Sequence, residues 1–71
     1  MSAYYIWDEE SNGWFSGFTN GKPYFDYSFT CARNYVHKET AFGMVDAIKS
    51  AETCRKFELM VFAIEKILQR V

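Results

Sequence analysis

Asn12-Gly13 stands between two aromatic runs, Tyr4-Tyr5-Ile6-Trp7 and Trp14-Phe15-Ser16-Gly17-Phe18-Thr19. No other feature limits the possible folds of this chain so tightly. Asn-Gly tolerates the positive φ that both central residues of a type I′ turn need, so strand-like runs on either side of it read as a β-hairpin. With Asn12 and Gly13 as a two-residue loop, Ser11 faces Trp14, and counting back sets Trp7 opposite Phe18. Such an aromatic cross-strand pair stabilises a sheet by a few tenths to ~1 kcal/mol. A longer loop would shift this register and keep the hairpin.

Asn20-Gly21-Lys22-Pro23 signals a second turn at once. Pro23 has no N–H for a ladder, so Tyr24-Phe25 is expected as an edge or a short irregular extension. Asp26 to Val36 has no clean period and reads as a turn or short helical piece ending in an extended segment near Tyr35-Val36. From Lys38 the pattern turns helical. Ala41, Phe42, Val45 and Ile48 share one side, with Lys38, Glu39, Asp46 and Lys49 on the other. Gly43 lowers the helical propensity by about 1 kcal/mol relative to alanine. The helix is expected to end between Ser50 and Cys54.

The last segment is ambiguous by period alone. Phe57-Glu58-Leu59-Met60-Val61-Phe62 suits a buried strand, yet Phe57, Met60, Val61, Ile64, Ile67, Leu68 and Val71 also form one helical stripe. Taken by themselves, the residues favour the helix, which would give a hairpin plus two helices.

Size sharpens the question of what the aromatics do. Seventy-one residues make one small domain, residues 1–71, and a chain this short usually needs unusually rich packing, metal, disulfides or self-association to hold together. Two Trp, five Tyr and seven Phe account for 20% of it, and each such side chain buries on the order of 150–250 Å². Neighbouring strand residues point to opposite faces, so Trp14 and Phe15 cannot both enter one core. One helix covers one face of a small sheet. Some large aromatics therefore fall on the open face, where they mark a partner surface or self-association.

Catalytic and ligand chemistry finds little support. The single histidine, His37, precedes the helix, and a general base needs an orienting partner and a pocket. Cys31 is near it in sequence, but no nucleophile signature surrounds Cys31, which reads better as a small core residue. Cys31 and Cys54 match no zinc or redox spacing. Asp8, Glu9 and Glu10 lack a second acidic cluster that would complete a hard-cation site, and the glycines fit no phosphate-binding loop. No cofactor and no metal is expected, and the chain is not expected to be an enzyme.

Net charge is −1, with an acidic first part: Asp8, Glu9, Glu10 and Asp26 stand against Lys22 alone in residues 1–30. Stacking of bases on sheet aromatics needs interleaved basic residues, so this argues against nucleic acid. The N-terminus lacks a basic region followed by a long apolar one, and no apolar run approaches the ~18 residues of a membrane helix. A cytoplasmic protein without membrane contact is the expectation.

The order of landmarks resembles that of a loose class of small phage- and prophage-encoded accessory proteins of ββαβ type. The matching residues are Tyr5-Ile6-Trp7, Gly13-Trp14-Phe15, Phe29-Thr30, Ala32-Arg33-Asn34-Tyr35 and Lys38-Glu39-Thr40-Ala41, covering about residues 4–42 and extending to Phe62. Val36-His37 departs from the Ser or Thr cap usual there, as does the tail running to Val71. The resemblance implies a last strand at roughly 55–63. The fold expected is thus α+β, a small antiparallel sheet of the N-terminal β-hairpin plus a C-terminal strand packed on one α-helix.

The resemblance also implies a stoichiometric modulator or inhibitor of a host protein or protein complex in the host cytoplasm, anti-CRISPR proteins being examples. The function expected is a non-catalytic protein-binding module. Trp7, Asp8, Glu9, Glu10, Trp14, Phe15 and Tyr24 are the residues expected to carry the contact. A homodimeric accessory protein sealed by the C-terminal apolar stretch is the alternative.

Overall fold

Residues 3–52 and 58–68 are described by the computed structural model. Strand β1 (Tyr4–Asp8), strand β2 (Gly13–Thr19) and strand β3 (Lys22–Asp26) follow one another as a meander. A single 3₁₀ turn (Phe29–Cys31) leads to helix α1 (Lys38–Ala51), and the chain returns as strand β4 (Leu59–Ala63) before a short helix α2 (Ile64–Leu68). The strands form one antiparallel sheet in the order β3-β2-β1-β4. This is the expected α+β architecture. Residues 55–57 of the strand expected over 55–63 lie outside the described residues.

The first hairpin exists, but its register differs from the two-residue loop. Trp7 pairs with Trp14 and Asp8 with Gly13, leaving Glu9–Asn12 as a four-residue loop. The cause is Asp8. Its carboxylate is 1% exposed and accepts from the Glu10 N–H (3.2 Å), the Ser11 N–H (3.3 Å) and the Ser11 Oγ–H (2.6 Å). An Asp side chain bonding backbone two and three residues on winds the chain into a turn of its own, and the positive φ of Asn12 (56°) returns it to the strand. Gly13 serves a different need from the one expected: a Cβ there would sit 3.1 Å from the Asp26 backbone of β3. The type I′ geometry is found at the second turn, where Asn20 (φ 53°) and Gly21 (φ 78°) connect the Thr19–Lys22 pair.

Strand β3 is a sheet edge, as Pro23 requires. Its register with β2 shifts between Phe15 and Gly17, where a β-bulge leaves Gly17 at φ 139°. Beyond Trp14 the chain at residues 33–35 enters beside β1 and β2: the Arg33 N–H donates to the Phe15 carbonyl, and Tyr35 exchanges backbone bonds with Tyr4 (2.7 and 2.9 Å). This is the extended segment expected near Tyr35.

Alternation sends Ile6 and Asp8 of β1, Phe15 of β2, Phe25 of β3 and Leu59 and Val61 of β4 to the face that α1 covers. Helix α1 presents Ala41, Val45 and Ile48, spaced i, i+4, i+7, to that face. With Ile6, Phe15, Tyr35 and Leu59 they form the core. Phe42 does not join them, contrary to the sequence reading; it is 48% exposed, with Lys38 Nζ 5.9 Å from its ring centroid. His37 occupies the N-cap position and makes no side-chain cap bond. Cys31 is exposed rather than a core residue, because the 3₁₀ turn carries it outside the sheet–helix layer. Among the described residues, no helix is long and apolar enough to cross a membrane.

Candidate protein-binding surface

The opposite face of the sheet receives the other half of each alternation. The pairs Tyr5–Phe62, Trp7–Met60 and Trp7–Trp14 all fall there. The rings meet in a network centred on Trp14. Its ring lies 4.9 Å from Trp7, 5.3 Å from Phe29, 6.2 Å from Phe62 and 6.4 Å from Tyr5, each edge-on. The 3₁₀ turn lays Phe29 against this face, 4.6 Å from the Tyr5 ring. Edge-to-face pairs add about 0.5–1.5 kcal/mol each beyond the area they bury, so the cluster is internally ordered without a covering helix. It remains partly open to solvent, and Met60 beside Trp7 is 41% exposed.

Acidic groups border the cluster. The Trp7 indole N–H donates to Glu9 Oε1 at 2.8 Å, which fixes the ring and sets a carboxylate at its edge. At the β3 side, the Tyr24 hydroxyl donates to Asp26 Oδ2 at 3.0 Å, and the Ser28 N–H donates to Asp26 Oδ1 at 2.8 Å. The Ser28 bond chiefly, then the Tyr24 bond, hold the Asp26 carboxyl below the ordinary aspartate pKa. Its bond to Asp26 in turn raises the Tyr24 phenol above the ordinary tyrosine value.

The signs follow from linkage. The Asp26 contribution to stability is present above the ordinary aspartate pKa and lost as pH falls through the lowered one. That of Tyr24 is present below the ordinary tyrosine pKa and lost as pH rises through the raised one. A ¹³C titration of the Asp26 carboxyl is expected to give a midpoint below the ordinary value, moving up in Tyr24→Phe. An unchanged midpoint in that variant would remove Tyr24 as a cause.

The residues expected from the sequence divide between the two faces. Trp7, Trp14 and Tyr24 lie on the open face, Tyr24 at 49% exposure, and Glu9 borders it. Glu10 is exposed in the loop. Asp8 and Phe15 are each 1% exposed on the helix side and are corrected from contact residues to interior ones. Asp8 follows Ile6 by two, and Phe15 follows Gly13 by two, so alternation carries both inward. Tyr5, Phe29, Met60 and Phe62 belong to the surface and were not among the expected contacts. Tyr5 was reachable, since it shares parity with Trp7; Met60 and Phe62 need the β4 register, which no local signal supplies.

A second feature lies on the helix side, an open groove of about 260 Å³ between Phe15, Gly17, Phe18, Arg33 and Met44. Its one charged group is exposed, and no acid or nucleophile lines it. No group of three or more His, Cys, Asp or Glu side chains capable of holding a metal comes together among the described residues. No family model matches the chain, and no curated protein or solved structure matches it.

Proposed function

We propose that this chain is a non-catalytic protein-binding module that docks through the open aromatic face of its sheet. The observation that carries the reading is the Trp14-centred cluster, left uncovered opposite α1 and bordered by Glu9 and Asp26. Ordered Trp and Tyr rings lose little entropy on binding and dominate interface hot spots. Aromatic faces attract guanidinium and ammonium groups, and carboxylates at their edge strengthen that preference. The partner class is therefore a protein surface presenting Arg or Lys among apolar residues. Action on the partner is stoichiometric, by occupancy, in the manner of a modulator or inhibitor of a host protein.

Selection of a displayed peptide library against the wild-type chain tests this. Enriched peptides are expected to carry Arg or Lys beside apolar residues. Trp7→Ala and Glu9→Lys, with folds checked by circular dichroism, are then expected to weaken binding, the first by ~30-fold or more if Trp7 is a hot spot. Enrichment of acidic peptides, or peptides held equally well by both variants, would overturn the reading.

A further inference from the structure

The two edges of the sheet are built differently. Strand β3 carries Lys22, Pro23 and Asp26 along its edge, the usual guards against pairing with another chain. Strand β4, at the other edge, reads Leu59-Met60-Val61-Phe62-Ala63 and has no charge, proline or glycine. Among the described residues, no strand pairs with its outer side.

The direction of its backbone groups follows from the register. The Ile64 N–H donates to the Ala3 carbonyl, and Tyr4 sends its own N–H and carbonyl the other way, to Tyr35. Bonded pairs alternate along an antiparallel ladder, so Met60 and Phe62 turn their backbone groups towards β1. Leu59, Val61 and Ala63 turn theirs outward, as a row of three residues centred on Val61.

We infer that β4 pairs antiparallel with β4 of a second copy, Val61 facing Val61 about a two-fold axis, to make one eight-stranded sheet. Three features of the edge are self-complementary in that register. Val61 meets Val61 as a bonded pair. Leu59 meets Ala63 on the helix face, a large residue against a small one. Met60 meets Phe62 on the open face, a thioether against an aromatic ring, in the closer non-bonded kind of pair. The two aromatic faces then run on as one surface. A chain of 71 residues is of the size that commonly gains stability by self-association, and an isologous contact closes at two copies.

The test is mass and amide protection on the intact chain. Light scattering after gel filtration is expected to give twice the 8.3 kDa of one chain at high concentration. The Val61 amide, on an outer edge in a lone copy, is expected to be protected from hydrogen exchange and to lose that protection on dilution. Met60→Lys is expected to weaken the dimer, because each copy would set a lysine against Phe62 of the other. Should that variant misfold, Val61→Cys in a Cys31→Ser, Cys54→Ser background supplies a second test, since bonded antiparallel pairs hold their Cα atoms about 5.5 Å apart, within disulfide range. Oxidation is then expected to give a covalent dimer with the wild-type circular dichroism. A monomer mass at millimolar concentration overturns the inference, and so does a dimer whose Val61 amide exchanges freely.

Discussion

Phe15→Ala is expected to cost about 3–5 kcal/mol of folding stability, the range for truncating a fully buried phenylalanine. Phe15 is 1% exposed and lies among Ile6, Tyr35, Ala41, Val45 and Ile48. Its ring meets Phe25 at 5.8 Å and Phe18 at 5.5 Å, both edge-on. A chain of this length has about 4–10 kcal/mol in total. The substitution therefore removes a large part of the margin and is expected to leave a substantially unfolded population at 37 °C. Phe18→Ala supplies the contrast, since Phe18 is an exposed large hydrophobic and its truncation leaves no enclosed cavity. Urea unfolding followed by Trp fluorescence measures both. Equal midpoints for Phe15→Ala and the wild type would mean that Phe15 is not where the core is sealed.

That contrast also separates what was legible in the sequence from what was not. The aromatic runs around Asn12-Gly13 required a hairpin, Pro23 required an edge, and the spacing of Ala41, Val45 and Ile48 required a helix. All three are strictly local signals. Alternation further required large aromatics on both faces, and Trp14 and Phe15 do part company as neighbours must. Phe42 was misread because it stands one position from Ala41, and an apolar stripe on a helix is wide enough to include it. Only the packing of β1, β3 and β4 beneath the helix decides which edge of the stripe turns out to solvent.

Strand β4 was expected from the resemblance, but from the residues alone it was illegible, for a different reason. A five-residue apolar run has no period to read, and what fixes it as a strand is the free side of β1, a long-range partner. Met60 and Phe62 consequently entered the open face only once that pairing was known. Their places could not be counted from any turn, since the chain arrives at β4 from a helix rather than a hairpin.

The hairpin register has its own cause. Pairing Trp7 with Phe18 rather than Trp14 moves the partner by four residues, an even number, so every side chain would keep its parity. Hydrophobic patterning is blind to such a slip. What distinguishes the registers is a polar side chain, and Asp8 after a strand and before Glu9-Glu10 reads as a solvated charge. Its burial is a property of the fold: the residue falls beside Gly13 and Leu59 on the covered face, where its carboxylate takes hydrogen bonds from the loop it organises.

Asp8→Ala is accordingly expected to destabilise the chain by about 2–3 kcal/mol, because hydrogen bonds to a charged group are worth roughly 1.5–3 kcal/mol and this carboxylate accepts three from the loop. The loss is held well below the sum of the three because the exposed Ser11 and Glu10 donors regain water. The effect should be local in character. Amide exchange is expected to quicken at Glu10, Ser11 and the Trp7–Trp14 pair well before it does in α1. Asp8→Asn keeps an acceptor oxygen but no charge, and is expected to recover about half of the loss. If Asp8→Ala instead left stability and the Trp7–Trp14 cross-strand contact unchanged, Asn12-Gly13 would be holding the loop unaided. The four-residue register would then need a cause outside Asp8.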